Sequence, residues 1–99
     1  MTVYHIALLR LKPEASRSQL EEWSQKAKSM VSKVPGLSLH INQPLPLSVS
    51  RCEGFDMGMV AVLLSADNIE GYITDPSHLE VQRLREELFK DALVYDLEF

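Results

Sequence analysis

Three side chains that can carry out acid–base chemistry stand out in this sequence: His5, Tyr72 and His78. The last two fall within residues 71–78, a stretch that predicts the end of a short helix, a turn and the start of a longer helix. Asp75 and the proline after it are typical of a helix start, because the carboxylate caps free N–H groups and proline fits the first helical position. His78 is therefore predicted in the first turn of the longer helix, and Tyr72 on the inner face of the short one.

Each of these two groups has a chemical interpretation and a structural one. An imidazole in a first helical turn feels the positive end of the helix dipole, which favours the neutral form and hence a base near pH 7. The Tyr72 hydroxyl can donate a hydrogen bond to an enolate or carbonyl oxygen in a dry cleft. The structural alternatives are that His78 bonds the backbone at the helix start and that Tyr72 is a core aromatic residue.

A carboxylate is expected beside the first histidine. The last predicted strand carries Asp96, and antiparallel pairing with the first strand brings it close to His5. Such a pair orients the ring and sets its tautomer, but it is also a common way to satisfy two buried polar groups, and that structural role is favoured for Asp96. His40 is expected to be exposed and Cys52 to be a free surface thiol. With no H-E-x-x-H or C-x-x-C spacing, no metal site is predicted.

Hydrophobic periodicity predicts four strands, at residues 3–11, 37–42, 57–64 and 92–98, and a long loop at 43–54. With three helices between them, the element order is β-α-β-β-α-α-β. This order predicts an α+β, ferredoxin-like fold with a four-stranded antiparallel sheet.

The helices have recognisable start signals. The first is expected to begin at a capping box at Ser18, with Ser16 to Gln19 as an alternative register. Ser65 is expected to cap the short helix, and the longer helix is expected to run from Pro76 to about Asp91. The first helix carries an apolar stripe at helical spacing: Leu20, Trp23, Ala27, Met30, Val31 and Val34.

One face of the sheet is expected to need a cover that the helices do not supply. Its predicted residues are too apolar to remain in water: Ile6, Leu8, Leu93, Tyr95 and Leu97. A second copy of the same sheet is the simplest cover, so the sequence predicts a homodimer that forms a dimeric α/β barrel.

Composition narrows the class of protein. The chain has 99 residues, which predicts a single domain over residues 1–99, and its net charge is −4, which argues against nucleic-acid or anionic-membrane partners. The longest apolar run is too short to span a bilayer, and the first residues do not resemble a signal peptide. With one cysteine there is no intrachain disulfide, and a cytoplasmic location is expected.

Several segments together resemble the stress-responsive A/B barrel (Dabb) family of the dimeric α/β-barrel superfamily. They occur in the expected order across essentially the whole chain: Val3-Tyr4-His5-Ile6, Val34-Pro35-Gly36-Leu37, Gly54-Phe55-Asp56, Tyr72-Ile73-Thr74-Asp75-Pro76-Ser77-His78 and Leu93-Val94-Tyr95-Asp96-Leu97-Glu98. Within this family the chain resembles polyketide cyclases of the olivetolic acid cyclase type.

The resemblance implies a cleft between sheet and helices that binds a hydrophobic, carbonyl-rich small molecule and closes a ring without a cofactor. It assigns catalytic positions to His5, Tyr72, His78 and Asp96. His78 would remove the proton between two carbonyls, Tyr72 would bond the enolate oxygen, and His5 would assist the electrophilic carbonyl. The substrate-binding wall is expected at four further residues: Trp23, Ala27, Met59 and Phe89.

A polyketide cyclase of this kind is a lyase in the broad sense. Two alternatives to it remain open. One is a non-catalytic stress-responsive homodimer that binds or scaffolds. The other is a haem-degrading or other monooxygenase of the wider superfamily, which is less favoured because only His78 suggests a haem contact.

Overall fold

The computed structural model describes residues 1–99 and contains one four-stranded antiparallel sheet with three α-helices. The strands are β1 (Val3–Leu11), β2 (Ser38–Asn42), β3 (Met57–Leu63) and β4 (Phe89–Glu98). The helices are α1 (Arg17–Ser29), α2 (Asn68–Thr74) and α3 (Pro76–Leu88), with 3-10 turns at Met30–Ser32 and Pro46–Arg51. The strand order is β2-β3-β1-β4, which confirms the ferredoxin-like α+β fold. None of the helices has the length and hydropathy that crossing a bilayer requires.

Alternation along the strands separates a buried face of the sheet from an outer face. His5 and its alternate neighbours on β1 are buried with the helices. On the outer face Ile6 stands opposite Tyr95 and Leu8 stands opposite Leu93 in the β1–β4 register. Tyr95 is 61% exposed and Leu93 51% exposed, so the chain itself leaves this predicted apolar face uncovered.

The first helix starts in the alternative register. The Ser16 hydroxyl accepts a hydrogen bond from the Gln19 N–H at 3.2 Å, and the Gln19 side chain accepts one from the Ser16 N–H at 2.9 Å. The prediction of a cap at Ser18 is wrong, because α1 begins at Arg17 and Ser18 already lies inside it. The reciprocal pair at Ser16 satisfies two free N–H groups at once.

The longer helix ends three residues before the predicted boundary at Asp91, because pairing with β1 takes over at Phe89. The Leu88 carbonyl accepts a hydrogen bond from the Lys12 N–H at 2.8 Å, which ties the helix end to the end of β1. Asp91 then forms a 2.8 Å ion pair with Arg10 across the two strands. The last strand is correspondingly longer than predicted.

Two smaller predictions about the helices are wrong. Ser65 does not cap α2, because its hydroxyl donates to the Asn68 side chain, and Asp67, which occupies the cap position, accepts no helix N–H through its side chain. Val31 is 43% exposed, because the chain leaves α-helical geometry at Met30 and the 3-10 turn rotates this side chain outward.

The Asp75 cap at the start of α3 is expected to stabilise the folded protein. Asp75 accepts a hydrogen bond from the Ser77 N–H at 2.8 Å, so Asp75→Ala should lower the free energy of unfolding by about 0.5–2 kcal/mol. Asp67→Ala is the matched control, since that cap residue makes no such bond. Urea denaturation of both variants measures the difference, and equal losses would contradict the assignment of the cap.

Candidate functional site

Three aromatic rings from three separate elements lie in a row between the sheet and the helices. The Tyr72 ring of α2 is in the middle, with its centroid 5.4 Å from that of His5 on β1 and 4.7 Å from that of His78 on α3. Both contacts are edge-to-face, and Tyr72 is only 1% exposed. The structure thus brings together the three residues that were singled out in the sequence.

His5 is held by Asp96. Its Nδ1 lies 2.5 Å from an Asp96 carboxylate oxygen, as the antiparallel register that places the two residues opposite each other requires. The imidazole is buried, whereas the carboxylate side chain is 43% exposed. The pair fixes the orientation of the histidine ring and therefore the way this ring packs against Tyr72.

His78 lies where its neutral form is favoured. Burial is the main cause that lowers its pKa below 6.5, and electrostatic interactions with His5 and Arg85 act in the same direction. A backbone contact with Ile73 and the charge of Asp75 oppose this shift. The His78 Nδ1 atom is buried and makes no hydrogen bond. A neutral imidazole with one free nitrogen is equipped to accept a proton.

Tyr72 is kept protonated by its surroundings. Burial raises the pKa of its phenol to about 12, although the positive charge of Arg85 acts against the shift. At neutral pH the side chain therefore carries its hydrogen, and it can serve as a hydrogen-bond donor beside a base.

A small cavity of about 20 Å³ lies against the Tyr72–His78 pair. Its wall includes two of the four predicted substrate-binding residues, Trp23 and Met59. Ala27 and Phe89 are buried but are not on the wall; the Phe89 ring packs against that of Trp23, with centroids 5.0 Å apart. His5 and Asp96 are also absent from the wall. Of the eight predicted site residues, four therefore line the cavity and four do not.

Sequence reasoning missed two polar residues of the cavity wall, Gln82 and Arg85. They lie four and seven positions after His78 on α3, which is the spacing that places side chains on one helix face. That spacing is the sequence signal by which the two residues can be identified. The remaining wall residues are apolar: Ala7, Leu9 and Val81.

The other candidate positions lie away from this cavity. His40 is exposed, as predicted, with Nε2 3.2 Å from the Ser38 hydroxyl. Cys52 is a free thiol, but it is half buried and bonds the carbonyls of Val49 and Phe55. No group of three or more His, Cys, Asp or Glu residues is arranged to hold a metal ion. The largest surface groove, about 710 Å³, runs between α1 and β2 and contains none of the predicted site residues.

The sheet order and the helices place the chain in the ferredoxin-like α+β class. The profile of the stress responsive A/B barrel domain, Dabb, matches residues 3–99. The protein therefore belongs to the Dabb family. Among curated proteins, none matches the sequence.

Similar solved structures include a lyase and proteins of unknown function. A dimeric ferredoxin-like protein of unknown function from Jannaschia sp. CCS1 has a TM-score of 0.88 at 17% identity, with 100% of both chains covered. A second such protein, from Thermobifida fusca YX, has a TM-score of 0.85 at 21% identity, covering 100% of this chain and 92% of that one. A hydroxynitrile lyase from Passiflora edulis has a TM-score of 0.86 at 18% identity, covering 97% and 91%. At sequence identities this low, the structural similarity establishes a shared fold alone.

The depressed pKa of His78 leads to a prediction about stability and pH. In the unfolded chain the imidazole takes up a proton near pH 6.5, whereas the folded protein resists protonation to lower pH. The unfolded state therefore binds more protons in this window, and the free energy of unfolding should fall as the pH drops below about 6.5.

A His78→Gln variant should lose less stability than the wild type between about pH 7 and about pH 5.5. Urea denaturation at several pH values provides the measurement. Identical slopes for the two proteins would contradict the buried, neutral state of His78.

Proposed function

We propose that this protein is a homodimeric Dabb enzyme that performs cofactor-free acid–base chemistry on a small carbonyl compound in the cleft between sheet and helices. The observation that carries the proposal is the contact between Tyr72 and His78 on the wall of one cavity. The first is a protonated donor and the second a neutral base with a free nitrogen. Donor and base side by side are what enolate formation requires.

In the proposed reaction His78 accepts the proton from the carbon next to a substrate carbonyl. The C–H electron pair moves into the enolate, and the Tyr72 hydroxyl donates a hydrogen bond to the enolate oxygen. The enolate carbon then attacks a second carbonyl carbon, and the resulting alkoxide takes the proton from the His78 imidazolium. Protons balance and no external oxidant is needed. The reverse sequence breaks the same carbon–carbon bond.

The resemblance assigned His5 and Asp96 to direct catalysis. In this proposal they position another side chain instead. The His5 ring contacts Tyr72 and is not on the cavity wall. We therefore assign the His5–Asp96 pair to positioning: it holds the Tyr72 ring at the angle that directs its hydroxyl toward the substrate. A buried hydrogen-bonded pair is a rigid support for such a contact.

The size of the cavity bears on the substrate. About 20 Å³ is far below the roughly 300–1,000 Å³ of pockets that enclose drug-sized ligands. A small ketone or keto acid that inserts only its carbonyl end is thus favoured. Ring closure of a polyketide-like chain is the same chemistry on a larger substrate, and it would require the helices to move apart. A hydroxynitrile lyase has the same fold, so the architecture is compatible with catalysis.

The homodimer is proposed from the uncovered face of the sheet. Large apolar side chains there are exposed, including Tyr4 at 40%, Leu93 at 51% and Tyr95 at 61%. Burial of such a patch is favourable by roughly 25 cal/mol per Å² of apolar surface. Two of the similar structures are described as dimeric ferredoxin-like proteins, which supports the same arrangement here.

Deuterium exchange tests the proposed chemistry without knowledge of the natural substrate. Small ketones such as acetone and cyclopentanone are incubated with the protein in heavy water, and the loss of α-proton signal is followed by NMR. The wild type should accelerate exchange above the buffer rate, and His78→Gln should not. The absence of any acceleration, together with no binding of the ketones, would reject the enzyme proposal.

The small volume of the cavity also favours one alternative, a non-catalytic homodimer with a closed cleft. In that case His78 and Tyr72 are core residues, and their substitution changes stability only. The exchange experiment separates the two functions, because a scaffold shows neither exchange nor ligand-induced changes at the cleft.

A further inference from the structure

The cavity wall carries polar groups that have no partner within the chain, and two of them are not used by the proposed reaction. The indole nitrogen of Trp23 is buried and makes no hydrogen bond. Arg85 is half buried and forms no salt bridge, whereas Arg10 and Arg83 each pair with a carboxylate. Buried tryptophan N–H groups usually have an acceptor, and a partly buried cation without an anion loses hydration with nothing in return. Both residues line the same cavity.

Arg85 lines the same cavity as the two proposed reacting groups, Tyr72 and His78. Its positive charge also acts on the pKa of both side chains. It is two turns after His78 on α3, and long helical side chains lean toward the helix N-terminus. The guanidinium is therefore expected to extend toward the His78 end of the helix, and the side chain is only partly buried.

The cavity itself has room for little more than one oxygen-sized group, since about 20 Å³ is close to the volume that one water requires. A ligand can therefore insert a carbonyl oxygen, while the rest of the molecule stays at the rim. A carbonyl oxygen has two lone pairs and can accept from the Trp23 N–H and the Tyr72 hydroxyl together.

We propose that the substrate is a carbonyl compound that also carries a carboxylate, with Arg85 binding the carboxylate and Trp23 donating its indole N–H to the carbonyl oxygen. Guanidinium and carboxylate form a strong charge-assisted pair, often with two parallel hydrogen bonds. The inference rests on the proposed function, because it names two further contacts of the same substrate. It assigns the class of short keto acids.

Two nearly isosteric probes isolate the carboxylate. Acetoacetate and acetylacetone share a methyl ketone and a methylene group, and they differ in carrying a carboxylate or a second neutral carbonyl. The chain contains one tryptophan, so its indole N–H gives a single cross-peak in a two-dimensional NMR spectrum. Titration with acetoacetate should shift this cross-peak, and acetoacetate should bind roughly 10-fold more tightly than acetylacetone.

Arg85→Gln should raise the Kd of acetoacetate roughly 10-fold and leave that of acetylacetone within about 2-fold. Arg83→Gln is the matched control, because this arginine lies on the same helix but is exposed and paired with Glu87. It should leave both dissociation constants unchanged.

The outcomes distinguish this inference from the proposed function. If acetylacetone binds and small ketones undergo catalysed exchange, but acetoacetate has no advantage or Arg85→Gln weakens both probes equally, the keto-acid inference fails and the acid–base site stands. A Trp23 cross-peak that does not move when acetoacetate binds rejects the indole contact. Binding of neither probe, with no exchange of any ketone, overturns both proposals.

Discussion

Leu93→Asp is expected to convert the homodimer into monomers or to prevent folding. Leu93 lies on the outer face of the sheet, opposite Leu8 and next to the Ile6–Tyr95 pair. In the proposed dimer its side chain is buried against the partner sheet. An aspartate there would carry an unpaired charge into an apolar interface, which typically costs several kcal/mol. Analytical ultracentrifugation at micromolar concentration measures the result, with the chain mass of 11.2 kDa as the monomer reference.

Leu79→Asp provides the matched control. Leu79 lies on α3 with 55% of its surface exposed, close to the 51% of Leu93, but it is not on the sheet. This variant should remain dimeric and folded. A wild type that sediments as a monomer, or equal behaviour of the two variants, would remove the basis for the homodimer.

His78→Gln is expected to reduce turnover by about 10²–10⁴-fold, the usual contribution of a positioned general base, while the fold remains intact. Glutamine retains hydrogen-bonding atoms and comparable bulk but cannot accept the proton. Tyr72→Phe removes only the hydroxyl and should cost about 10²–10³-fold, as the loss of one preorganised donor to an oxyanion does. The rate of α-proton exchange in small ketones provides the assay, and circular dichroism provides the check of folding.

His40→Gln is the control for these two substitutions, because His40 is exposed on the edge strand β2 and its side chain hydrogen-bonds only to Ser38. It should exchange ketone protons at the wild-type rate. If the His40, His78 and Tyr72 variants all retain full activity, the catalytic assignment fails even though the cleft exists. If the exchange rate falls only for Tyr72→Phe, another residue is the base.

The behaviour of His5 shows how much of the site could be predicted from sequence. Strand parity placed His5 on the buried face, and antiparallel pairing placed Asp96 beside it; both follow from the two-residue period of a strand. The cap at Asp75 is likewise local, because it depends on a carboxylate and a proline in adjacent positions. Such features are encoded within a few residues and can be read directly.

Other features were decided by contacts between distant segments. Helix α3 ends at Leu88 because Phe89 pairs with β1. No local sequence signal near Asp91 predicts this helix end. The position of His5 behind Tyr72 instead of on the cavity wall depends on how α2 packs against the sheet.

The volume of the cavity and the unpaired state of Arg85 depend most of all on tertiary structure. The sequence alone determined the order of elements, the two faces of the sheet and the types of side chain near the cleft, because hydrophobic period and capping are local. Only tertiary packing decided that the cleft closes to about 20 Å³. It also decided that Trp23 lines this cavity with no hydrogen-bond acceptor and Arg85 with no carboxylate partner. The physical reason is that volume and hydrogen-bond satisfaction arise where side chains from several elements interdigitate, and no single segment specifies that fit.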